Sequence, residues 1–86
     1  MNQFIMSEVK FLSDLGSKIR EARKSQSITQ TKLAETCQIE KANMSRIESG
    51  KTNVTVLTLW KIGKALNLPV AELLMGSEIN SEELAA

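Results

Sequence analysis

The 86-residue sequence contains no histidine and only one cysteine, Cys37. Without histidine, the chain lacks the commonest general base and the commonest metal ligand of proteins. A lone cysteine cannot form an internal disulfide and cannot complete a thiolate zinc site. No apolar run approaches the roughly 18 residues that a bilayer span requires. These absences predict that the chain is not an enzyme, needs no cofactor or metal, and does not enter a membrane.

The residues that are present are typical of one small globular domain. Hydrophobic residues make up 42% of the chain and charged residues 24%, a balance found in folded rather than disordered proteins. A chain of 86 residues allows a single domain. The N-terminus lacks the basic stretch and the continuous apolar core of a secretory signal, which predicts a cytoplasmic protein.

Charge is distributed unevenly along the sequence. Residues 14–68 hold ten of the eleven basic side chains and five acidic ones, whereas residues 69–86 hold four glutamates and no basic residue. A basic body with an acidic tail suggests an anionic partner for the body. We expect the chain to be divided into an N-terminal extension over 1–10, a domain over 11–76 and an acidic tail over 77–86.

Apolar residues recur at spacings of three and four, which predicts an all-α fold of five short helices. The first helix is expected to end near residues 25–27, and the third at Gly50. Thr29 and Thr55 are placed to cap the second and fourth helices, and Pro69 to begin the fifth. The residues expected to face inward are Leu12, Leu15, Ile19, Ala22, Leu33, Ala34, Cys37, Met44, Ile47, Val56, Leu59, Ile62, Gly63, Leu66, Leu73 and Leu74.

About three residues separate the second and third helices, too few for antiparallel packing, so the pair is expected to form a helix-turn-helix. The stretch ITQTKLAETCQIEKANMSRIESGKTN, followed by LTLWKIGKALNLPVAEL, resembles the lambda-repressor and Cro family of helix-turn-helix proteins. The resemblance covers residues 15–75 and lies in the ordered combination of Thr-Gln, Leu-Ala, Ser-Arg-Ile-Glu-x-Gly and Leu-x-x-Ile-x-x-Ala-Leu. It implies a five-helix, lambda-repressor-like DNA-binding domain.

The third helix is predicted to read base edges in the major groove. Met44 and Ile47 share one face, so the opposite face carries small, polar and basic side chains. Arg46 can fork onto the O6 and N7 atoms of guanine, and Asn43 can pair with adenine. The candidate base-reading residues are Lys41, Ala42, Asn43, Ser45 and Arg46. Without the resemblance, the same face would be interpreted as an ordinary solvated surface.

Two neighbouring segments are predicted to bind the DNA backbone. The N-terminus of the second helix presents unpaired N–H groups and the positive end of the helix dipole, which suit a phosphate. The loop after Gly50 offers a cation and hydrogen-bonding groups, and it resembles the second backbone contact of the family. The candidate phosphate-binding residues are Thr29, Gln30, Ser49, Lys51, Thr52 and Asn53.

Arg23 and Glu48 match a family pair that joins the first helix to the end of the third. Arginine suits such a site because its planar fork binds a carboxylate through two hydrogen bonds. We therefore expect a structural ion pair rather than a contact between Arg23 and DNA. Cys37 is interpreted as a small hydrophobe rather than a redox sensor.

Two residues depart from the family pattern. Gln38 stands where relatives usually have glycine, and a left-handed conformation costs other residues about 1 kcal/mol, so a slightly different turn is expected. Glu40 stands where serine or threonine is usual. Its carboxylate complements the helix dipole but would repel a phosphate, and it could instead accept a hydrogen bond from cytosine N4.

Leu57 and Trp60 form a second apolar stripe on the fourth helix. One interpretation is that Trp60 is partly buried in the monomer core; the other is a dimer interface, where tryptophan is often found. A two-fold dimer would fit palindromic half-sites about 34 Å apart. The preferred function is a homodimeric repressor or controller that binds double-stranded DNA. The alternative is an antitoxin that binds a toxin protein through the Phe4–Phe11 extension or the acidic tail and represses its own operon.

Overall fold

The computed structural model describes residues 3–75, with side-chain detail from residue 7, and this part of the chain is helical without a strand. The all-α prediction of five helices is confirmed. In chain order the helices are α1 (Gln3–Ser25), α2 (Gln30–Cys37), α3 (Lys41–Glu48), α4 (Val56–Leu66) and α5 (Val70–Leu74). None of these helices is long and apolar enough to cross a membrane. The acidic tail predicted over 77–86 lies outside the described residues.

The starts of α2 and α4 are fixed by threonine caps. The Thr29 hydroxyl accepts a hydrogen bond from the backbone N–H of Lys32 at 3.0 Å, and Thr55 accepts one from Thr58 at 3.1 Å. Such caps satisfy donors that helix geometry leaves unpaired. Both predicted caps are therefore confirmed. Pro69 is the N-cap of α5 rather than its first helical residue.

The turn between α2 and α3 is closed by a left-handed residue. Gln38 adopts φ 59° and ψ 42°, and the N–H of Ile39 then reaches the carbonyl of Ala34 at 3.0 Å. Gln38 therefore adopts the left-handed conformation that suits the glycine usual at this position. A residue with a Cβ bears a cost of about 1 kcal/mol there. Gly50 has φ 73°, as predicted for the residue that ends the third helix.

One hydrophobic core joins all five helices. Its buried members are Leu15, Ile19, Leu33, Ala34, Cys37, Met44, Ile47, Leu59, Ile62, Leu66 and Leu73. The prediction that Val56 faces inward is wrong, because this side chain is 80% exposed. Val56 is the first residue of α4. At about 100° per residue it lies roughly 70° from the mean direction of the buried α4 residues, so it is not carried into the core.

α1 extends further toward the N-terminus than the predicted domain. It begins at Gln3, so the boundary expected between residues 10 and 11 falls inside a continuous helix. Lys10 Nζ binds Asp14 Oδ2 at 2.7 Å across that boundary. The N-terminal extension, as far as the structure describes it, is therefore the beginning of α1.

The middle of α1 packs tightly against the end of α3. A Cβ atom placed on Gly16 would lie 2.5 Å from the carbonyl oxygens of both Ile47 and Glu48. Only glycine permits this approach, because any larger residue would push the two backbones apart. The contact holds the last turn of α3 directly on α1.

Candidate nucleic-acid interface

α2 and α3 are joined by residues 38–40 and share the core. Leu33 and Cys37 of α2 are buried together with Met44 and Ile47 of α3. Because these side chains fix the inner side of each helix, the opposite sides are left to solvent. The pair forms the helix-turn-helix predicted from the sequence.

The exposed face of α3 is small, polar and basic. Lys41, Ala42, Ser45 and Arg46 are exposed, and Asn43 is half-buried beside them. Within the described part of the chain, no hydrogen bond or ion pair engages the charged groups of Lys41 and Arg46. α3 therefore presents two unpaired cations and no bulky aliphatic side chain, which suits a major groove about 12 Å wide.

The residues that flank α3 differ in whether their side chains make hydrogen bonds. Glu40 is the exposed N-cap, and its carboxylate makes no capping hydrogen bond. The Ser49 hydroxyl, by contrast, lies within donating distance of the carbonyls of Ser45 at 2.9 Å and Arg46 at 3.2 Å. Its hydrogen is used inside the last turn of α3, so Ser49 is a weaker phosphate donor than the sequence analysis expected.

The other candidate phosphate-binding residues lie at the start of α2 and after α3. Thr29 is exposed and accepts its capping bond through the hydroxyl oxygen, which leaves the hydroxyl hydrogen able to donate. Lys51 and Asn53 are exposed, and Thr52 is half-buried between them. The backbone N–H of Lys51 donates to the carbonyl of Arg46 at 2.9 Å, which fixes the start of the loop against α3.

The Arg23–Glu48 ion pair links α1 to the end of α3. Arg23 Nε and Nη2 donate to the two carboxylate oxygens of Glu48 at 2.7 and 2.9 Å, and Nη1 donates to the carbonyl of Ile28 at 2.9 Å. Both residues are buried, with 8% and 7% of their surface exposed. The hydrogen bonds with Glu48 raise the pKa of Arg23, and burial opposes part of that rise. Each of the three guanidinium nitrogens of Arg23 thus donates a hydrogen bond inside the domain.

Gln30 connects the ion pair to the start of α2. Its Nε2 atom donates to Glu48 Oε1 at 3.1 Å, and the same oxygen accepts the Nη2 bond of Arg23. The ion pair therefore orients a side chain at the helix end where a phosphate was predicted to bind. The sequence predicts Gln30 near the DNA backbone, but it does not predict this contact with Glu48.

The structure also adds two residues that the sequence analysis did not single out. Arg20 and Thr31 line a polar depression together with Thr29, Lys41 and Ser45. Arg20 lies three residues before Arg23, so the helical period alone places the two arginines on the same side of α1. This spacing is the sequence feature from which the position of Arg20 could have been predicted.

An apolar surface of different character lies on α4. We call it the α4 patch and define it as Val56, Leu57 and Trp60, which are 80%, 60% and 50% exposed. Lys64 Nζ lies 4.6 Å from the centroid of the Trp60 ring, a cation–π contact. Leu57 and Trp60 therefore stand at the surface and not in the core.

Cys37 is not part of any exposed surface. Only 2% of it is exposed, and burial raises the pKa of its thiol, which the charge of Lys61 partly counteracts. A neutral thiol in this position packs like the aliphatic side chains around it.

Comparison with known proteins identifies relatives of this fold. The model of a helix-turn-helix family matches residues 19–73, which run from the middle of α1 into α5. The HTH-type transcriptional regulator SutR of Escherichia coli strain K12 is 34% identical over 55 residues, covering 64% of this chain and 31% of SutR. The chain thus spans about a third of the length of this curated relative.

Solved structures share the same architecture. The restriction-modification controller protein C.AhdI from Aeromonas hydrophila matches with a TM-score of 0.71 at 27% identity, over 72% of this chain and 94% of C.AhdI. The clp gene regulator ClgR from Corynebacterium glutamicum matches with a TM-score of 0.75 at 27% identity, over 78% of this chain and 71% of ClgR. Both similarities extend well beyond the α2–α3 pair.

Proposed function

The chain belongs to the lambda-repressor/Cro-like helix-turn-helix family, and from this membership we propose that it is a transcriptional regulator that binds double-stranded DNA sequence-specifically. The observation that carries the proposal is the exposed face of α3, where Lys41 and Arg46 are unpaired among the described residues. The names of its relatives, a transcriptional regulator, a controller protein and a gene regulator, support the same function.

We assign each outer residue of α3 a base contact that suits the chemistry of its side chain. Arg46 binds the O6 and N7 atoms of guanine, Asn43 pairs with adenine, and Ala42 contacts a thymine methyl. Lys41 and Ser45 donate to further base edges. Glu40, which is not used as a helix cap, accepts from cytosine N4 rather than contacting a phosphate.

The proposed phosphate contacts flank α3 on both sides. Thr29 and Gln30 bind one phosphate at the start of α2, and Lys51, Thr52 and Asn53, with Ser49 beside them, bind a second segment of backbone. These contacts set affinity and register but carry no sequence information. If each protomer neutralises about three to five phosphates, a dimer has a salt slope of roughly −5 to −9 in log affinity against log salt concentration.

We propose that the functional unit is a homodimer on a palindromic operator and acts as a repressor or controller. One chain supplies one recognition helix, and a two-fold dimer places two of them about 34 Å apart, one turn of DNA. The α4 patch supports self-association because its apolar side chains are exposed and include a tryptophan. Sedimentation of the Leu57→Glu, Trp60→Ser variant tests this interface: a monomer is expected, and a dimer would exclude the α4 patch.

The second candidate is an antitoxin that binds a toxin protein and represses its own operon. The exposure of Val9 and Phe11 on α1 favours it, because these apolar side chains lie at the end of the segment predicted to contact such a partner. Reading the neighbouring open reading frame, and co-purifying its product with this chain, distinguishes an antitoxin from a free-standing regulator.

The experiment that tests the main proposal is selection of bound duplexes from a random pool. We expect an enriched palindromic motif whose half-sites lie about one DNA turn apart. Arg46→Ala should relax the preference at one base position of each half-site, at a cost of about 1–3 kcal/mol on the selected duplex. A pool that remains random after repeated rounds would contradict sequence-specific binding.

A further inference from the structure

A polar depression lies where α1 meets the starts of α2 and α3. Arg20 of α1, Thr29 and Gln30 at the start of α2, and Lys41 and Ser45 of α3 all line it. Three helices therefore contribute polar or basic groups to one concave surface next to the exposed face of α3.

The depression carries a positive charge that nothing inside it neutralises. Glu48 is the one acidic side chain among the described residues that line it. Both of its oxygens are already engaged by Arg23, and one of them also accepts from Gln30. The charges of Arg23 and Glu48 cancel within this buried pair, which leaves Arg20 and Lys41 as two uncompensated cations.

Arg20 is not held in place by any other part of the domain. It is exposed, and within residues 3–75 no hydrogen bond or ion pair engages its guanidinium group. The buried Arg23, one turn along α1, donates from all three guanidinium nitrogens inside the domain, whereas Arg20 does not. An unpaired guanidinium beside exposed hydroxyl groups provides donors on more than one side of an incoming anion.

We propose that Arg20 is a further DNA-contacting residue, whose guanidinium binds a phosphodiester oxygen of the backbone in this depression. The planar fork of arginine fits two phosphate oxygens at once, and Thr29 donates to the same phosphate from the start of α2. This inference rests on the proposed function, since it assumes that the face of α3 lies in a DNA groove. It makes α1 part of the DNA interface.

Lys18 provides a matched control on the same helix. It lies two residues before Arg20, which places it about 200° around α1. There it lines a different depression with Leu68 and Glu72, on the side of α1 that meets α5. Lys18→Gln therefore removes the same charge as Arg20→Gln, but from the opposite side of α1.

The experiment measures binding of the full chain to a selected duplex and to a scrambled duplex, between about 50 and 200 mM salt, by fluorescence anisotropy. Arg20→Gln should weaken binding to both duplexes about eightfold per bound protomer at about 0.1 M salt and reduce the salt slope by about 0.9. Arg20→Lys should keep the slope and lose only part of the affinity, since it retains the charge without the fork. Thermal unfolding of each variant, followed by circular dichroism, should match that of the unmodified chain.

Three outcomes would overturn the inference. An Arg20→Gln variant that binds like Lys18→Gln, while the unmodified chain binds with a steep salt slope, would remove Arg20 from the interface and leave the proposed function standing. A loss confined to the selected duplex would contradict a backbone contact. Absence of salt-dependent duplex binding by the unmodified chain would overturn both the inference and the proposed function.

Discussion

Two ion pairs of equal length lie in two regions of α1. Lys10 and Asp14 meet at 2.7 Å in its N-terminal half, and Arg23 and Glu48 meet at 2.7 Å where α1 joins α3. The side chains of the first pair are 74% and 32% exposed, and those of the second are 10% and 4% exposed. Water screens the first pair, whereas breaking the second leaves a buried charge without a partner. Burial, and not distance, determines what each pair contributes.

The largest effect is expected from Arg23→Ala. This change leaves the Glu48 carboxylate buried without its partner and removes the hydrogen bond to the carbonyl of Ile28. The free energy of unfolding should fall by about 3–5 kcal/mol, a large part of the total for a domain of this size. Urea unfolding followed by circular dichroism measures it, and unchanged unfolding would show that the buried pair is not structural. Base preference at the operator should change less than stability.

Glu48→Gln isolates the charge of the buried pair. Glutamine keeps the shape of the side chain but offers the Arg23 guanidinium one neutral acceptor oxygen, and its NH2 group faces the other donor without accepting from it. We expect a loss of about 2–3 kcal/mol in the free energy of unfolding. The same unfolding measurement applies. If Asp14→Asn, which removes the acidic charge of the exposed pair, lowers the free energy of unfolding by as much as Glu48→Gln does, burial does not distinguish the two ion pairs.

Gln38→Gly tests the strain in the turn between α2 and α3. Gln38 has φ 59°, a conformation that glycine adopts without a steric cost. The substitution should raise the free energy of unfolding by up to about 1 kcal/mol, partly offset by the greater freedom of glycine in the unfolded chain. A decrease in stability would mean that the glutamine side chain contributes packing that outweighs the strain.

The smallest effect is expected from Asp14→Asn, the matched partner of Glu48→Gln. The Lys10–Asp14 pair has i,i+4 spacing on an exposed side of α1, where such pairs contribute less than about 0.5 kcal/mol. Added salt should reduce even this difference. If Asp14→Asn lowers the free energy of unfolding as much as Glu48→Gln does, the N-terminal half of α1 is as strongly coupled to the core as the contact between α1 and α3.

Local features of the fold could be predicted from the sequence. The helix caps at Thr29 and Thr55 depend on residues within one turn, and the inner side of α3 follows from the spacing of Met44 and Ile47. The pairing of Arg23 with Glu48 was available only through the resemblance to a family, because 25 residues separate the two.

The features that could not be predicted depend on distant parts of the chain. Arg20 is an ordinary polar residue on an amphipathic helix until α2 and α3 pack beside it and form the depression. The bond from Gln30 to Glu48 likewise exists only once α2 and α3 are folded together.

The glycine contact between α1 and α3 has an evolutionary consequence. Because main-chain atoms meet at Gly16, the contact that positions the end of α3 on α1 involves none of the side chains at 41, 42, 45 and 46. Those positions are exposed and contribute nothing to the core, so they tolerate exchange as a set. If the face of α3 reads DNA as proposed, descendants of this chain can acquire new target preferences by a few surface substitutions while the scaffold stays the same.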